Sequence, residues 1–185
     1  ICHEGDGFYI RAFPLEHTKT CVGYTLEELP RPGEFHPEKA RELKVPCGPL
    51  WAKLQAGFEV EAEDGTIVKP EQVLGAQRSG RKISYVTDTL YLDSIAKEVQ
   101  GSDLLFCEGM FAKDFEDQAK EKKHMTARQA ATIAKDANVR RMCLIHYSPR
   151  YNDKELGVLL EEAQEVFPQT ELSKDRMQID IPYID

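Results

Sequence analysis

Four residues able to bind metal or move protons stand directly behind short apolar runs. His17 follows the run at 8–12, Asp88 the run at 83–87, Glu108 the run at 104–107 and His146 the run at 142–145. Imidazole nitrogens and carboxylate oxygens are ligand types that suit zinc, and a carboxylate can bridge two ions. Each residue taken singly has a plainer reading. A histidine at a strand end is commonly a hydrogen-bonded surface group, Asp88 in Thr87-Asp88-Thr89 could cap the next helix, and Glu108 could be a solvated carboxylate. Taken together they point further. In an α/β sheet the ligand site lies beyond the carboxyl ends of the strands, so four groups placed by that one rule can converge on one site however far apart they are in sequence.

The elements that would position them can be read from periodicity. Phe8, Ile10 and Ala12 alternate as a strand does, Pro14 ends the run, and 21–25 reads as a second short strand. Between 30 and 49 prolines and glycines punctuate the chain heavily, so this stretch reads as an excursion from the core. Pro37 suits the first turn of a short helix over 37–43. Asp64-Gly65 marks a turn before a strand at 66–68. The second half alternates regularly. Strands are expected at 83–87, 104–107 and 142–145, with helical spacing at Leu92, Ile95, Ala96 and Val99 and a stop at Gly101. Thr126 and Gln129 form a capping-box pattern that opens an alanine-rich helix to Ala137. A further helix is expected over 152–167, with Asn152 and Glu155 at capping-box spacing, and a closing strand at 177–181. Alternating strands and helices predict an α/β layered fold, with a sheet covered on at least one side.

Composition sets bounds on partners. The 185 residues are 41% hydrophobic and 30% charged, as a globular domain requires. No apolar run approaches the ~18 residues of a membrane span, and no charged-then-apolar stretch opens the chain. The expectation is no membrane partner. A net charge of −8 disfavours a surface that coats nucleic acid, so any RNA contact must be local. The five cysteines form no C-x-x-C pair, which fits a reducing, cytoplasmic setting. Cys107 and Cys143 read as small buried hydrophobes within strands.

At the same residues the sequence resembles the ribonuclease Z family of the metallo-β-lactamase superfamily. The segment F-P-L-E-H-T-K-T-C-V-G-Y around His17 is similar to one zinc-binding segment of the family. G-R-K-I-S-Y-V-T-D-T resembles the segment ending in the metal-bridging aspartate, here Asp88, and L-I-H-Y-S-P-R-Y the motif of the second-zinc histidine, here His146. H-M-T-A-R-Q-A-A resembles the H-S-T loop, giving His124 a place beside the scissile phosphate. C-E-G-M-F looks like a variant of the H-E-A-T-F loop that keeps Glu108 and puts Cys107 where histidine is usual. P-G-E-F-H-P-E-K-A and V-P-C-G-P-L-W-A-K-L-Q are similar to the family's protruding arm, whose Gly-Pro tip (Gly48 and Pro49) clasps tRNA. Two features depart from the family. Leu90-Tyr91 stand where Arg-Pro commonly follows the bridging aspartate, and H-x-H-x-D-H occurs around none of the five histidines. With an opening at Ile1, the expectation is the C-terminal part of a longer protein.

The resemblance implies a four-layer αββα sandwich, present here only in part. The whole of 1–185 would be one partial domain, with 30–75 as an inserted tRNA-binding arm. It implies a precursor-tRNA 3′-trailer endoribonuclease, two Zn2+ per complete subunit, and a homodimer; Mn2+ or Fe2+ could occupy the same ligands. His17, Asp88 and His146 would hold metal, while His124, positioned by Glu108, would touch the phosphate or protonate the leaving oxygen. Ser148, Arg150 and Tyr151 would touch RNA or orient His146. From 30 to 57 the arm carries Arg31, Lys39, Arg41, Lys44 and Lys53 against Glu34, Glu38 and Glu42, so it is net positive on an acidic chain and its Lys44 and Lys53 are candidate RNA contacts. Trp51 would pack the arm or stack on RNA. The chain alone is expected to be inactive, for want of ligands. Two other readings fit the residues: another phosphodiesterase of the superfamily, or a non-catalytic module that binds tRNA or dimerises.

Overall fold

A computed structural model of the chain describes residues 1–152 and 154–184. In chain order its strands are β1 (His3–Gly5), β2 (Phe8–Leu15), β3 (Cys21–Glu28), β4 (Val60–Glu61), β5 (Ile67–Val68), β6 (Lys82–Val86), β7 (Leu104–Glu108), β8 (Met142–Ile145) and β9 (Thr170–Leu172). Its helices are α1 (Pro37–Glu42), α2 (Pro49–Gln55), α3 (Ser94–Glu98), α4 (Glu116–Glu121), α5 (Ala127–Asp136) and α6 (Leu156–Gln164). They form two compact units. One comprises Ile1–Glu28 and Arg81–Tyr183; the other is Leu29–Gly80, to which Ile184 also belongs.

The first unit is built on a seven-stranded sheet ordered β1-β2-β3-β6-β7-β8-β9. The pairs from β1 to β6 are antiparallel, and those from β6 to β9 are parallel. Alternation sorts the side chains between faces. Val86, Leu105, Cys107, Met142 and Leu144 meet the helical layer in one core with Ile95, Val99, Ile133 and Leu159. Each such large apolar side chain, fully buried, contributes roughly 1.5–3 kcal/mol. Five α5 residues are buried against this core: Ala127, Ala130, Ala131, Ile133 and Ala134. They keep helical spacing, and the four alanines let the helix approach the sheet closely. Thr126 caps it as expected: its hydroxyl accepts from Gln129 N–H at 3.2 Å, and Gln129 Oε1 accepts from Thr126 N–H at 3.0 Å.

Several boundaries differ from the sequence reading. Pro14 does not end its strand; β2 runs on to Leu15, and Pro14 pairs with Val22. Among the described residues β1 pairs with β2 only as far as Ile10, and Pro14 lies where β2 pairs with β3 alone, so its missing N–H is tolerated. Strand β1 was not expected; Asp6-Gly7, with Gly7 at φ 79°, turns the chain from it into β2. Helix α2 was not expected, although Pro49 stands in its first turn. Helix α6 begins at Leu156, later than 152. Asn152 and Glu155 do make reciprocal bonds, at 3.3 and 2.9 Å, but these close a turn ahead of the helix; Asp153 within the expected span lies outside the described residues. The closing strand is β9, not 177–181. Met177, Ile179 and Ile181 instead line an apolar cavity with Ile83, Leu104 and Phe106, so their alternation serves packing on the sheet face.

The second unit has its own core of Ala40, Val45, Leu54, Val60, Ala62, Val68 and Val73. Trp51 packs there. Its ring lies 5.2 Å from that of Phe35, its Nε1–H donates to Val45 O at 3.0 Å, and the Arg41 guanidinium sits 5.3 Å over it. Gly48, at φ 132°, precedes Pro49 at an exposed turn that a side chain would strain. Lys53 is exposed, while Lys44 pairs with Asp64 at 3.0 Å. Over 29–80 seven Lys and Arg face eight Asp and Glu, so a net positive balance is confined to the half that carries α1 and α2.

Candidate metal centre

Topology brings the sequence-flagged residues to one edge. β6, β7 and β8 are parallel, so Asp88, Glu108 and His146 share an end of the sheet. β2 is antiparallel to β3, which is antiparallel to β6; two reversals make β2 run with β6, and His17 arrives at the same end. His124 comes from the segment between α4 and α5. Glu108 proves to be the last residue of β7, not the first beyond it.

Donor atoms of His17, Asp88 and His124 lie within 4.8 Å of one another, as do those of Glu108, His124 and His146. His146 Nε2 is 3.4 Å from Asp88 Oδ2. The His124 ring stands between the other two, with centroids 4.7 Å from His17 and 5.2 Å from His146. Imidazoles and a carboxylate at this spacing are the donor set a zinc-type centre uses.

Hydrogen bonds orient the donors. Glu108 is fully buried, and its carboxylate accepts from Thr89 N–H at 2.6 Å, His124 Nδ1–H at 3.1 Å and Met125 N–H at 3.3 Å. With both oxygens so engaged it serves as a brace that ties the loop after β6 to the start of α5. His17 Nδ1–H donates to Lys123 O at 2.9 Å. Carbonyl and carboxylate can only accept, so these bonds place a proton on Nδ1 of each ring and turn each Nε2 away from its anchoring partner. Thr89 Oγ1 accepts from Glu16 N–H at 3.0 Å, and Leu90 N–H donates to Glu16 O at 2.8 Å, locking the His17 loop to the Asp88 loop.

The hydrogen bond to Glu108 raises the pKa of His124, against the opposing effect of burial. Cys107 points into the core instead. Burial pushes its thiol well up, so the residue standing in the usual histidine position contributes packing and no donor. Two left-handed non-glycine residues lie at the site: His146 takes φ 60° and Lys123 φ 55°. Gly109 is a close-packing position, where a Cβ would stand 2.6 Å from Leu144 Cδ2 and 3.1 Å from Ala127 Cα.

Around the cluster, Ser148 N–H donates to Met110 O at 3.2 Å and the Tyr151 hydroxyl accepts from Ala112 N–H at 2.9 Å. Arg150 lies 4.3 Å over Phe115 and donates to Gln118 Oε1 at 2.6 Å. These contacts fasten the loop after β8 to the one after β7. A cavity of about 550 Å³ opens at His124, lined in part by Leu90, Tyr91, Lys113 and Lys120. Another of about 780 Å³ opens at His146, with Lys154 and Lys174 in its wall. The sequence reading missed Thr89, the Lys123 carbonyl and Gly109. Thr87-Asp88-Thr89 was a visible signal for the first; a backbone carbonyl has none. Gly48, Pro49, Lys44 and Lys53 belong to the second unit.

Fold and site define an α/β protein with a candidate metal centre at the carboxyl ends of its strands. The description "Beta-lactamase superfamily domain" matches residues 49–147, and the chain belongs to that superfamily. Over 185 residues it is 60% identical to a protein from Treponema denticola named ribonuclease Z, covering 100% of this chain and 60% of that one. A Haloferax volcanii protein of the same name is 42% identical over 186 residues, covering 100% of this chain and 58% of that one. The chain thus spans about 60% of the length of the curated relatives it matches. Among solved structures, the metallo-β-lactamase fold protein YhfI of Bacillus subtilis superposes with a TM-score of 0.58 at 19% identity, over 93% of this chain and 49% of that one. The short form of human tRNase Z gives 0.56 at 22%, over 98% of this chain and 46% of that one. Both likenesses show the metallo-β-lactamase fold. No helix among the described residues is long and apolar enough to cross a membrane.

Proposed function

We propose that the protein is a zinc-dependent endoribonuclease that removes the 3′ trailer of precursor tRNA, acting in the cytoplasm. One observation carries this reading. The residues that the family motifs single out (His17, Asp88, Glu108, His124 and His146) close into one cluster in a chain 60% identical to a protein named ribonuclease Z. His17 would hold one ion, His146 a second, and Asp88 both. Bound zinc would lower the pKa of water toward ~7 and offset charge on the attacked phosphate.

The chain's own groups supply the rest. Glu108 holds Nδ1 of His124, so Nε2 faces a phosphate oxygen or hands its proton to the leaving 3′ oxygen. The hydrogen bond to Glu108 raises the pKa of His124 and so favours the protonated ring that this step requires. The cavity at His124 offers the Tyr91 ring and the Lys113 and Lys120 ammoniums to a neighbouring nucleotide. In the second unit the Gly48-Pro49 turn, Lys53 and Lys44 would grip the tRNA body, in a homodimer whose arms serve the partner's site.

The test is cleavage of a precursor tRNA by the natural full-length protein. Release of the trailer, lost in His146→Ala, is the expected result; trailer release that survives the substitution overturns the reading. Deleting the arm should abolish tRNA binding and spare hydrolysis of a small phosphodiester. Among the described residues the cluster supplies too few donors for two ions, so the 185 residues alone should not cleave; cleavage by this chain that His146→Ala abolishes would refute that.

A further inference from the structure

Two cavities flank the cluster along the row of strand ends. The one at His124 lies beyond β6 and β7, with Leu90, Tyr91 and Lys113 in its wall; the one at His146 lies beyond β8 and β9, with Tyr147, Ser173 and Lys174 in its wall. Adjacent strands stand about 4.8 Å apart, so roughly 10 Å separates the two. Their charge differs. At His124 two lysines, Lys113 and Lys120, face Asp114, Glu116 and Asp117. At His146 Lys154 and Lys174 face Asp175 alone. Both lysines of that second pair are exposed, and among the described residues neither ammonium is in an ion pair. The wall beside them is fixed: the Tyr147 hydroxyl donates to Leu144 O at 2.6 Å and accepts from Ser173 N–H at 2.7 Å, which ties the end of β9 to the loop after β8.

We infer that the two cavities receive the two sides of the cleaved bond: the last nucleotide of the mature tRNA at His124, and the trailer at His146, where Lys154 and Lys174 take its phosphates. The inference rests on the trailer-endonuclease reading and adds a direction for the RNA across the site. In that reaction a hydroxide adds to phosphorus and the bond from phosphorus to the 3′ oxygen breaks. His124 gives its proton to that oxygen, and the trailer leaves with a 5′ phosphate. The 3′ oxygen belongs to the mature tRNA, so its nucleotide sits on the His124 side. A cavity with an aromatic ring and a net negative lining suits a base and a ribose, and repels a run of phosphates. The trailer brings one further phosphate with each nucleotide after its first, and the cavity with two unpaired ammoniums suits it.

The natural full-length protein, given precursor tRNAs with trailers of one and of five nucleotides in one mixture, tests this through the ratio of their kcat/KM values. A one-nucleotide trailer carries no phosphate past the scissile one. The wild type should favour the longer trailer. That preference should fall as salt rises, with a log–log slope of about −1.4 for two single-strand phosphates at about −0.7 each. In Lys154→Ala/Lys174→Ala the preference should shrink by roughly tenfold at about 0.1 M salt, as two such contacts allow, and its slope should flatten toward zero. The loss should fall in KM, because the contact is the same before and during the reaction. A wild type indifferent to trailer length overturns the inference. So does a double variant that keeps the wild-type ratio and slope, including one weakened equally on both substrates; in each case the endonuclease reading stands. A wild type that releases neither trailer removes that reading and the inference with it.

Discussion

Glu108 is the residue whose loss should be felt most widely, and the cost can be worked out from its three hydrogen bonds. The side chain is fully buried and accepts from two backbone N–H groups and one imidazole N–H, at 2.6, 3.3 and 3.1 Å. Glu108→Ala strands all three donors, each costing about 1–3 kcal/mol when left unsatisfied. Glu108→Gln keeps one acceptor oxygen, which can stay with Thr89 and His124, but turns an NH2 group toward the Met125 N–H. One unsatisfied buried donor costs about 1–3 kcal/mol. Relief of the carboxylate's own desolvation acts the other way, and with three bonds in place it should lose. For a chain of this size ~2 kcal/mol corresponds to a fall in Tm of about 4–8 °C. Urea denaturation of the metal-free chain, followed by circular dichroism, measures both variants. A Glu108→Gln protein as stable as the wild type would refute the view that this carboxylate braces the loops.

Three further outcomes follow from the same geometry. Gly109→Ala should destabilise by about 1–3 kcal/mol, because its Cβ meets Leu144 and the backbone of Ala127; an unchanged melting temperature would show that α5 can shift freely. Thr126→Ala removes the cap of α5 and should cost about 1 kcal/mol, read by denaturation, with Thr126→Ser restoring most of it. Glu28 is held by the Arg81 guanidinium at 2.5 and 3.0 Å, and its pKa is lowered from 4.5 to about 2, chiefly by those bonds. A carboxyl depressed on folding contributes stability above its unfolded pKa and loses it as pH falls through the folded one. The stability gap between wild type and Glu28→Gln should therefore be full above pH 4.5 and close toward pH 2. A gap that is constant across that window would mean the ion pair contributes nothing.

The sequence alone determined the elements and the identities of the chemical groups. Strand β8, the capped α5 and the Asp64-Gly65 turn follow from local periodicity, capping and turn chemistry, which act over a few residues and are written in them. His17, Asp88, Glu108 and His146 were legible because each follows or ends an apolar run, and His124 through its motif. Pairing was not legible. Thr170–Leu172 joins the sheet while the more strand-like 177–181 packs on its face, because hydrogen-bond partners are chosen by what lies alongside. Pro14 sits inside β2 because, among the described residues, that strand pairs with β3 alone there, a fact about its neighbours and not about proline. In the same way only the folded chain shows that Glu108 is a brace with both oxygens engaged, and that Cys107 faces the core. It also shows His124 between two other imidazoles. Sequence fixes which groups exist and how each short segment bends, but distances between residues more than a hundred positions apart, such as His17 and Lys123, exist only once the sheet has brought its strand ends together.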